Sequence, residues 1–370
     1  MVLVDEMKKV MESAEGAKWE QVDTSTGFDI TLRWDAKDEL LLIPMRTLMR
    51  FNLHEKYNID VEKWSAYMEE IRGYMHDCPY HNLTHVTDVT QTLGTFLATE
   101  KAMELFTDLD RLIMVVSAIS HDLDHPGTNN MYQVNKKTEL AKKYDNKAVL
   151  ENHHIDLSQS VMNKLGLFDD LSEADHEELK HKMRELILST DMAQHFGLCG
   201  TLQETTKKLK DLKEGEVLPE EDKLVLMKSL LHLADISNPF KKWTMCKWWS
   251  DRVFQEFWEQ GDKEKAEELP ISMLCDRDTT HQDESSVNFI DFIICPFLFA
   301  CTAAFPDFIN HCEILAVNRK KWTDMTVERL KDTLVAEDEQ EKLKEAVDSW
   351  EGKNATFDEK FIKLKKDIDI

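Results

Sequence analysis

The stretch LDRLIMVVSAISHDLDH, residues 109–125, carries the reading on which the fold turns. Its first part, LDRLIMVVSAIS, repeats apolar side chains at the 3.6-residue period of a helix. The run then stops on His121 and Asp122. A carboxylate carried inward by such a run loses its water, which is costly unless it is paired or bound to a metal. Two further runs end the same way. LKHKMRELILST (179–190) stops on Asp191, and EDKLVLMKSLLHLAD (221–235) stops on Asp235. One such Asp is explained by a helix cap or a buried salt bridge. Three, beside HDLDH (121–125) and ENHH (151–154), point to a metal centre.

Outward from this stretch the same helical period recurs. It fits LLLIPMRTLMRFNL (40–53), VEKWSAYMEEIRGYM (61–75), DVTQTLGTFLA (88–98) and CKWWSDRVFQEFWEQG (246–261). Strand-like alternation is nearly absent. Only 11 Gly and 8 Pro punctuate 370 residues, which favours helices over turn-rich strands. The expected fold class is therefore all-α. Residues 1–36 read as a short amphipathic helix (Val2, Val4, Met7, Val10, Met11) and a polar connector. Residues 37–335 read as the main domain, and 336–370 as a charged helical extension with a solvated face. KKLKDLKEGEVLPEED (207–222) reads as a charged surface loop.

Composition excludes several function classes. The net charge of −25, from 71 acidic and 46 basic residues, repels nucleic acid and anionic membranes. FIICPFLFACTAAF (292–305) is too short to span a bilayer and reads as a buried helix. The N-terminus is too polar for a signal peptide. Seven Cys without a CxxC pair read as free thiols, and a cytoplasmic location is the expectation.

The histidines sharpen the metal reading. In PYHNLTHVTDV (79–89) the spacing of four predicts His81 and His85 on one helical face. Imidazole with carboxylate suits zinc, and carboxylate shared with water suits Mg²⁺ or Mn²⁺. An Asp beside a His has two oxygens, so it can serve one ion with its neighbour and reach a second. The series HNxxH, HDxDHxG and ENHH, in that order, is far more specific than any one of its parts.

These segments resemble class I cyclic-nucleotide phosphodiesterase catalytic domains, of compact multi-helix HD type, over about residues 40–330. The likeness rests on YHNLTHVTDVTQT (80–92), HDLDHPGTNN (121–130), LENHH (150–154), LSTDM (188–192), LHLADISNP (231–239), QEFWEQGDKE (255–264), LCDR (274–277) and FIDFI (289–293). DVTQT, LSTDM, LHLADIS and LCDR together look most like the calmodulin-stimulated branch. The resemblance implies hydrolysis of 3′,5′-cyclic nucleotides, cAMP or cGMP, to 5′-monophosphates. It implies zinc held by His85, His121, Asp122 and Asp235, with Mg²⁺ (or Mn²⁺) reached through Asp122. It makes His81 the general acid, with Glu151 its carboxylate neighbour, and puts His125, His154, Thr190 and Asp191 around the ligands. Asn238, Trp249, Val253, Ser286 and Phe289 match substrate-binding positions. His195 matches a position near the pocket rim, while His232 reads as a core histidine. Homodimers are common in the family, so a homodimer is open.

The chain departs from the pattern in two places. The family's Gln three residues before the stacking Phe is Ser286 here, too short for a two-point amide contact, and the usual Gly before that Phe is Asn288. Weaker base binding or relaxed base choice is expected. No basic amphipathic helix for calmodulin occurs in residues 1–36. Two alternatives remain: another HD-type phosphohydrolase, and a weakly active or inactive cyclic-nucleotide binder.

Overall fold

The computed structural model describes residues 2–12, 37–213, 215–334 and 339–367. Among them there is no strand, and the all-α expectation holds. The longer helices are α1 Val2–Glu12, α2 Val61–Tyr74, α3 Leu83–Leu97, α4 Asp108–Ser120, α5 Val149–Leu165, α6 Glu173–Leu188 and α7 His195–Asp211. There follow α8 Glu220–Asp235, α9 Trp243–Ala266, α10 Gln282–Phe289, α11 Cys295–Ala304, α12 Ile309–Thr333 and α13 Gln340–Asp367.

Helix α4 is the axis of the molecule. Every residue from Leu109 to Ser120 is buried, as befits a helix apolar on all sides. Helices α3, α6 and α8 pack around it. Its N-terminus is closed by a capping box between Thr107 and Asp110. Asp110 also binds the buried Lys182 of α6 at 2.6 Å and the buried Lys223 of α8 at 3.0 Å. Three helices are thereby fixed in register at one end. The far end of α4 delivers His121 and Asp122.

The N-terminal helix forms as expected and packs Met7, fully buried, against α2, where the Ser65 hydroxyl meets its sulfur. The connector falls outside the described residues. The 207–222 segment differs from the charged loop expected of it. Helix α7 runs on to Asp211 and α8 starts at Glu220, because Thr206, Leu209 and Asp222 are buried on the inner face. At the C-terminus, α13 is not merely solvated: Trp350, Phe357 and Leu364 are buried, and Phe357 and Phe361 lie against Phe299 of α11.

The helical stretch Gln282–Ala304 is long and apolar enough to cross a membrane, yet half of its most apolar window is buried within the protein. Phe297, Leu298 and Cys301 are fully covered, as in a core helix. A π-turn at Ile290–Ile294 breaks it between α10 and α11.

Helix α9 turns one polar row inward: Glu256, Gln260 and Glu264, each four residues on and each buried. Gln260 accepts the Asn129 amide at 2.8 Å and donates to Glu264 at 2.9 Å. Glu264 accepts the Ser272 amide and hydroxyl at 2.7 and 2.6 Å. Gly261 is required between them, since a Cβ there would stand 1.9 Å from the Cys275 carbonyl oxygen. QGDKE and LCDR are thus two halves of one packing contact.

Candidate metal centre and its surroundings

The metal-ligating candidates arrive from three buried helices. His85 stands in the first turn of α3, His121 caps the end of α4 with Asp122 beside it, and Asp235 ends α8. One donor atom from each lies within 4.8 Å of all the others. His85 Nε2 is 3.0 Å from Asp235 Oδ1 and 3.3 Å from Asp122 Oδ2. His121 Nε2 is 3.2 Å from each of the same two oxygens. A tetrahedral ion with bonds of about 2.0–2.1 Å sets its ligand atoms roughly 3.3 Å apart, so these four fit a divalent cation.

Electrostatics agrees. Burial works hardest against a charge on His121, but Asp122 and Asp235 outweigh it and hold its pKa well above the usual imidazole value. Both carboxylates resist burial in turn and are held below their ordinary range, chiefly by His121. The four groups demand positive charge at their common point, which a cation supplies without a proton. His121 Nδ1 donates to the Ala118 carbonyl at 2.7 Å, leaving Nε2 to face that point. Asp122 also turns Oδ1 toward His154 Nε2 at 3.9 Å, and His154 Nδ1 donates to the Leu123 carbonyl at 2.6 Å. Two more clusters of possible ligands are complete without an ion. Asp110, Glu178 and Glu220 are neutralised by Lys182 and Lys223. His81 and His125 stack nearly parallel at 3.9 Å, so their ring lone pairs do not converge.

The structure corrects the helical-face reading of His81. Asn82 is the N-cap of α3, accepting from the Thr84 and His85 amides, while its own amide donates to the Cys78 carbonyl at 2.9 Å. His81 therefore lies before the helix, its ring 5.6 Å from that of His85. Its carboxylate neighbour is also corrected. His81 Nδ1 bonds Glu256 Oε1, and Glu256 Oε2 accepts the Tyr80 and His81 amides at 2.9 and 3.0 Å. Burial opposes the charge on His81, yet Glu256 overcomes it and raises the pKa to about 9. Glu151 instead accepts two hydrogen bonds from Asn130, and burial beside Asp191 lifts its pKa to about 7. Glu256 lies in the motif QEFWEQGDKE. No local signal marks it, since charged residues run along the exposed side of α9 as well and only burial separates Glu256 from them.

The other candidates divide. His125 accepts the Gly127 amide and lies under His81. Thr190 donates to the Ile187 carbonyl, and Asp191 caps the following turn through the Ala193 amide, so Asp191 is the one helix-ending carboxylate of the three that stays out of the cluster. His195 lies 2.9 Å from His232 Nε2, both buried, which makes them a core pair rather than rim residues. Trp249 has no exposed surface and packs edge-on against Tyr80 and His85, so it backs the metal-ligand cluster from the core. Asn238 donates to the Tyr80 hydroxyl at 2.6 Å while its Oδ1 is buried and unpartnered. Ser286 Oγ is 3.3 Å from Ser250 Oγ, which also accepts from Gln282. Val253 and Phe289 are half-buried beside this group.

Comparison with known proteins follows the same lines. Residues 80–315 match the family described as 3'5'-cyclic nucleotide phosphodiesterase. A probable 3',5'-cyclic-AMP phosphodiesterase pde-4 of Caenorhabditis elegans is 31% identical over 311 residues, which are 82% of this chain and 46% of that protein. The 3',5'-cyclic-AMP phosphodiesterase 4C of Mus musculus is 34% identical over 66% of this chain and 36% of its own length. The chain thus spans half or less of these relatives. Among solved structures, the phosphodiesterase domain of Salpingoeca rosetta rhodopsin phosphodiesterase superposes with a TM-score of 0.76 at 26% identity, over 89% of this chain and 97% of that one.

Proposed function

Because this chain belongs to the 3′5′-cyclic nucleotide phosphodiesterase family, we propose that it hydrolyses a 3′,5′-cyclic nucleotide to the 5′-monophosphate. The observation that carries the reading is the convergence of His85, His121, Asp122 and Asp235 on one point, with a protonated His81 beside it. The relatives' names make cAMP the first substrate to test and cGMP the second. Zinc is the ion the His₂Asp₂ set suits best, and Asp122 offers a second oxygen toward Mg²⁺ or Mn²⁺. Such ions, when bound, stabilise phosphoryl charge and lower the pKa of water.

The residues of the chain do the rest. Glu256 keeps the proton on His81, and His81 hands it to the leaving 3′ oxygen. His121 and Asp122 are held by the end of a fully buried helix, so the site is rigid before substrate arrives. Phe289, half-buried on the same helix as Ser286, is the aromatic proposed to lie against the base. Ser286 carries no amide, and its hydroxyl already meets Ser250, which supports weak or relaxed base choice. The closer kinship with a calmodulin-stimulated branch rests on sequence motifs alone. The cytoplasm is the proposed location.

The test is turnover of cAMP and cGMP by purified protein of measured metal content, with product analysis. A 5′-monophosphate product from either supports the proposal. Metal-loaded protein that turns over neither would overturn it.

A further inference from the structure

His85 and His121 face the same point but are braced differently. The outer nitrogen of His121 donates to a backbone carbonyl at 2.7 Å. The outer nitrogen of His85 is buried and has no protein partner. A neutral ring that offers Nε2 to a cation carries its proton on Nδ1, so this donor needs an acceptor. Left alone, a buried donor without an acceptor is destabilising.

One turn along the same face of α3 stands Asp88, also buried. Its Oδ2 is engaged by the buried Lys241, which also donates to Thr92 at 2.9 Å, while its Oδ1 has no partner. His85 reaches Asp235 through Nε2 and Asp88 reaches Lys241, so α3 meets the turn 235–241 at both residues, one helical turn apart. The same turn holds the unpartnered Ser237 Oγ and Asn238 Oδ1. Lys241 is itself pinned, since its carbonyl accepts from the buried Asn318 at 2.6 Å. A dry seam with this many orphaned groups is unstable, whereas a water with two to four polar partners is an ordinary part of a protein interior.

We propose that ordered water in this seam joins His85 Nδ1 to Asp88 Oδ1, so that the Asp88–Lys241 pair is the positioning device for His85. The inference rests on the metal reading of the four ligands. It makes the two imidazoles unequal. A backbone carbonyl braces His121 and no side-chain change removes it, while a carboxylate braces His85 and can be removed.

The experiment compares zinc affinity, by competition with a chelator, in wild type, D88L/K241M and D88N/K241M. Both double variants remove Lys241, so no buried charge is left unpaired. Leu offers no acceptor; Asn restores one. The expected result is zinc binding about 10–100-fold weaker in D88L/K241M, with most of the loss recovered in D88N/K241M. Equal affinity in D88L/K241M and wild type would overturn the proposal, as would equal losses in both variants. If the variants do not fold, ¹⁵N-histidine spectra of zinc-loaded wild type decide. A slowly exchanging proton on His85 Nδ1 is expected, and its absence overturns the proposal. Wild-type protein that binds no zinc would sink the metal reading itself, whereas zinc-binding wild type with an unaltered double variant would sink only the role of Asp88.

Discussion

The metal-ligand end and the base end of the site are built on opposite plans. At the metal end, four donors from three buried helices call for positive charge at one point, which a proton on His121 or a bound cation can supply. At the base end, Gln282, Ser250 and Ser286 satisfy one another, with Gln282 also bound to Asp251 at 2.7 Å. A site that needs its ligand for electrostatic completeness tolerates little change. A site whose polar groups are already paired can vary, and it chooses among ligands weakly. The difference supports the proposed division, with chemistry at the first region and selectivity at the second.

The comparison breaks most sharply at His81. His81→Ala is expected to cost about 10²–10⁴-fold in turnover while bound metal and fold are retained. Elemental analysis checks the second half; loss of zinc in that variant would make His81 a ligand rather than the acid.

Glu256→Gln is the next test, read as a pH profile. Glu256 raises the His81 pKa to about 9, so the acid stays protonated, and activity persists, until the pH rises through that value. Without the carboxylate, burial dominates and the alkaline limb should move down by more than one pH unit. An unmoved limb would free His81 of Glu256. The pair should also matter to stability. His81 is raised from 6.5 and Glu256 is lowered from 4.5 to about 2, so its contribution is full between those two unperturbed values. It is lost as the pH rises through about 9 or falls through about 2.

At the base end the effects are smaller and fall on KM. Ser286→Gln is expected to tighten binding of at least one of cAMP and cGMP by roughly 1–3 kcal/mol, or about 5–150-fold. An unchanged KM for both would show that this position does not read the base. Gln282→Ala should do least, within about tenfold in KM, because of its two bonds only the one to Ser250 leads toward Ser286, and that brace is worth about 1 kcal/mol. A larger effect of Gln282 than of Ser286 would reverse their order in the pocket.

The sequence alone determined the helical class, the buried runs and the chemistry at their ends. Apolar period and a terminal His-Asp are local patterns, and a carboxylate at the end of a buried helix needs a partner wherever that helix packs. It could not determine which carboxylate serves which imidazole. Glu151 stood near a histidine pair in the chain, but Glu256, 175 residues from His81, reaches it because α9 lays that buried side chain against the 78–82 turn. Nor could spacing show that Asn82 starts the helix and leaves His81 outside it, since a cap competes with the preceding turn only once the turn has something to hold. Nothing local in the chain joins Asp88 to Lys241; packing alone buries the two against each other. Periodicity along the chain sets what must be buried; which buried groups meet is fixed by helix packing, and that is a property of the whole fold.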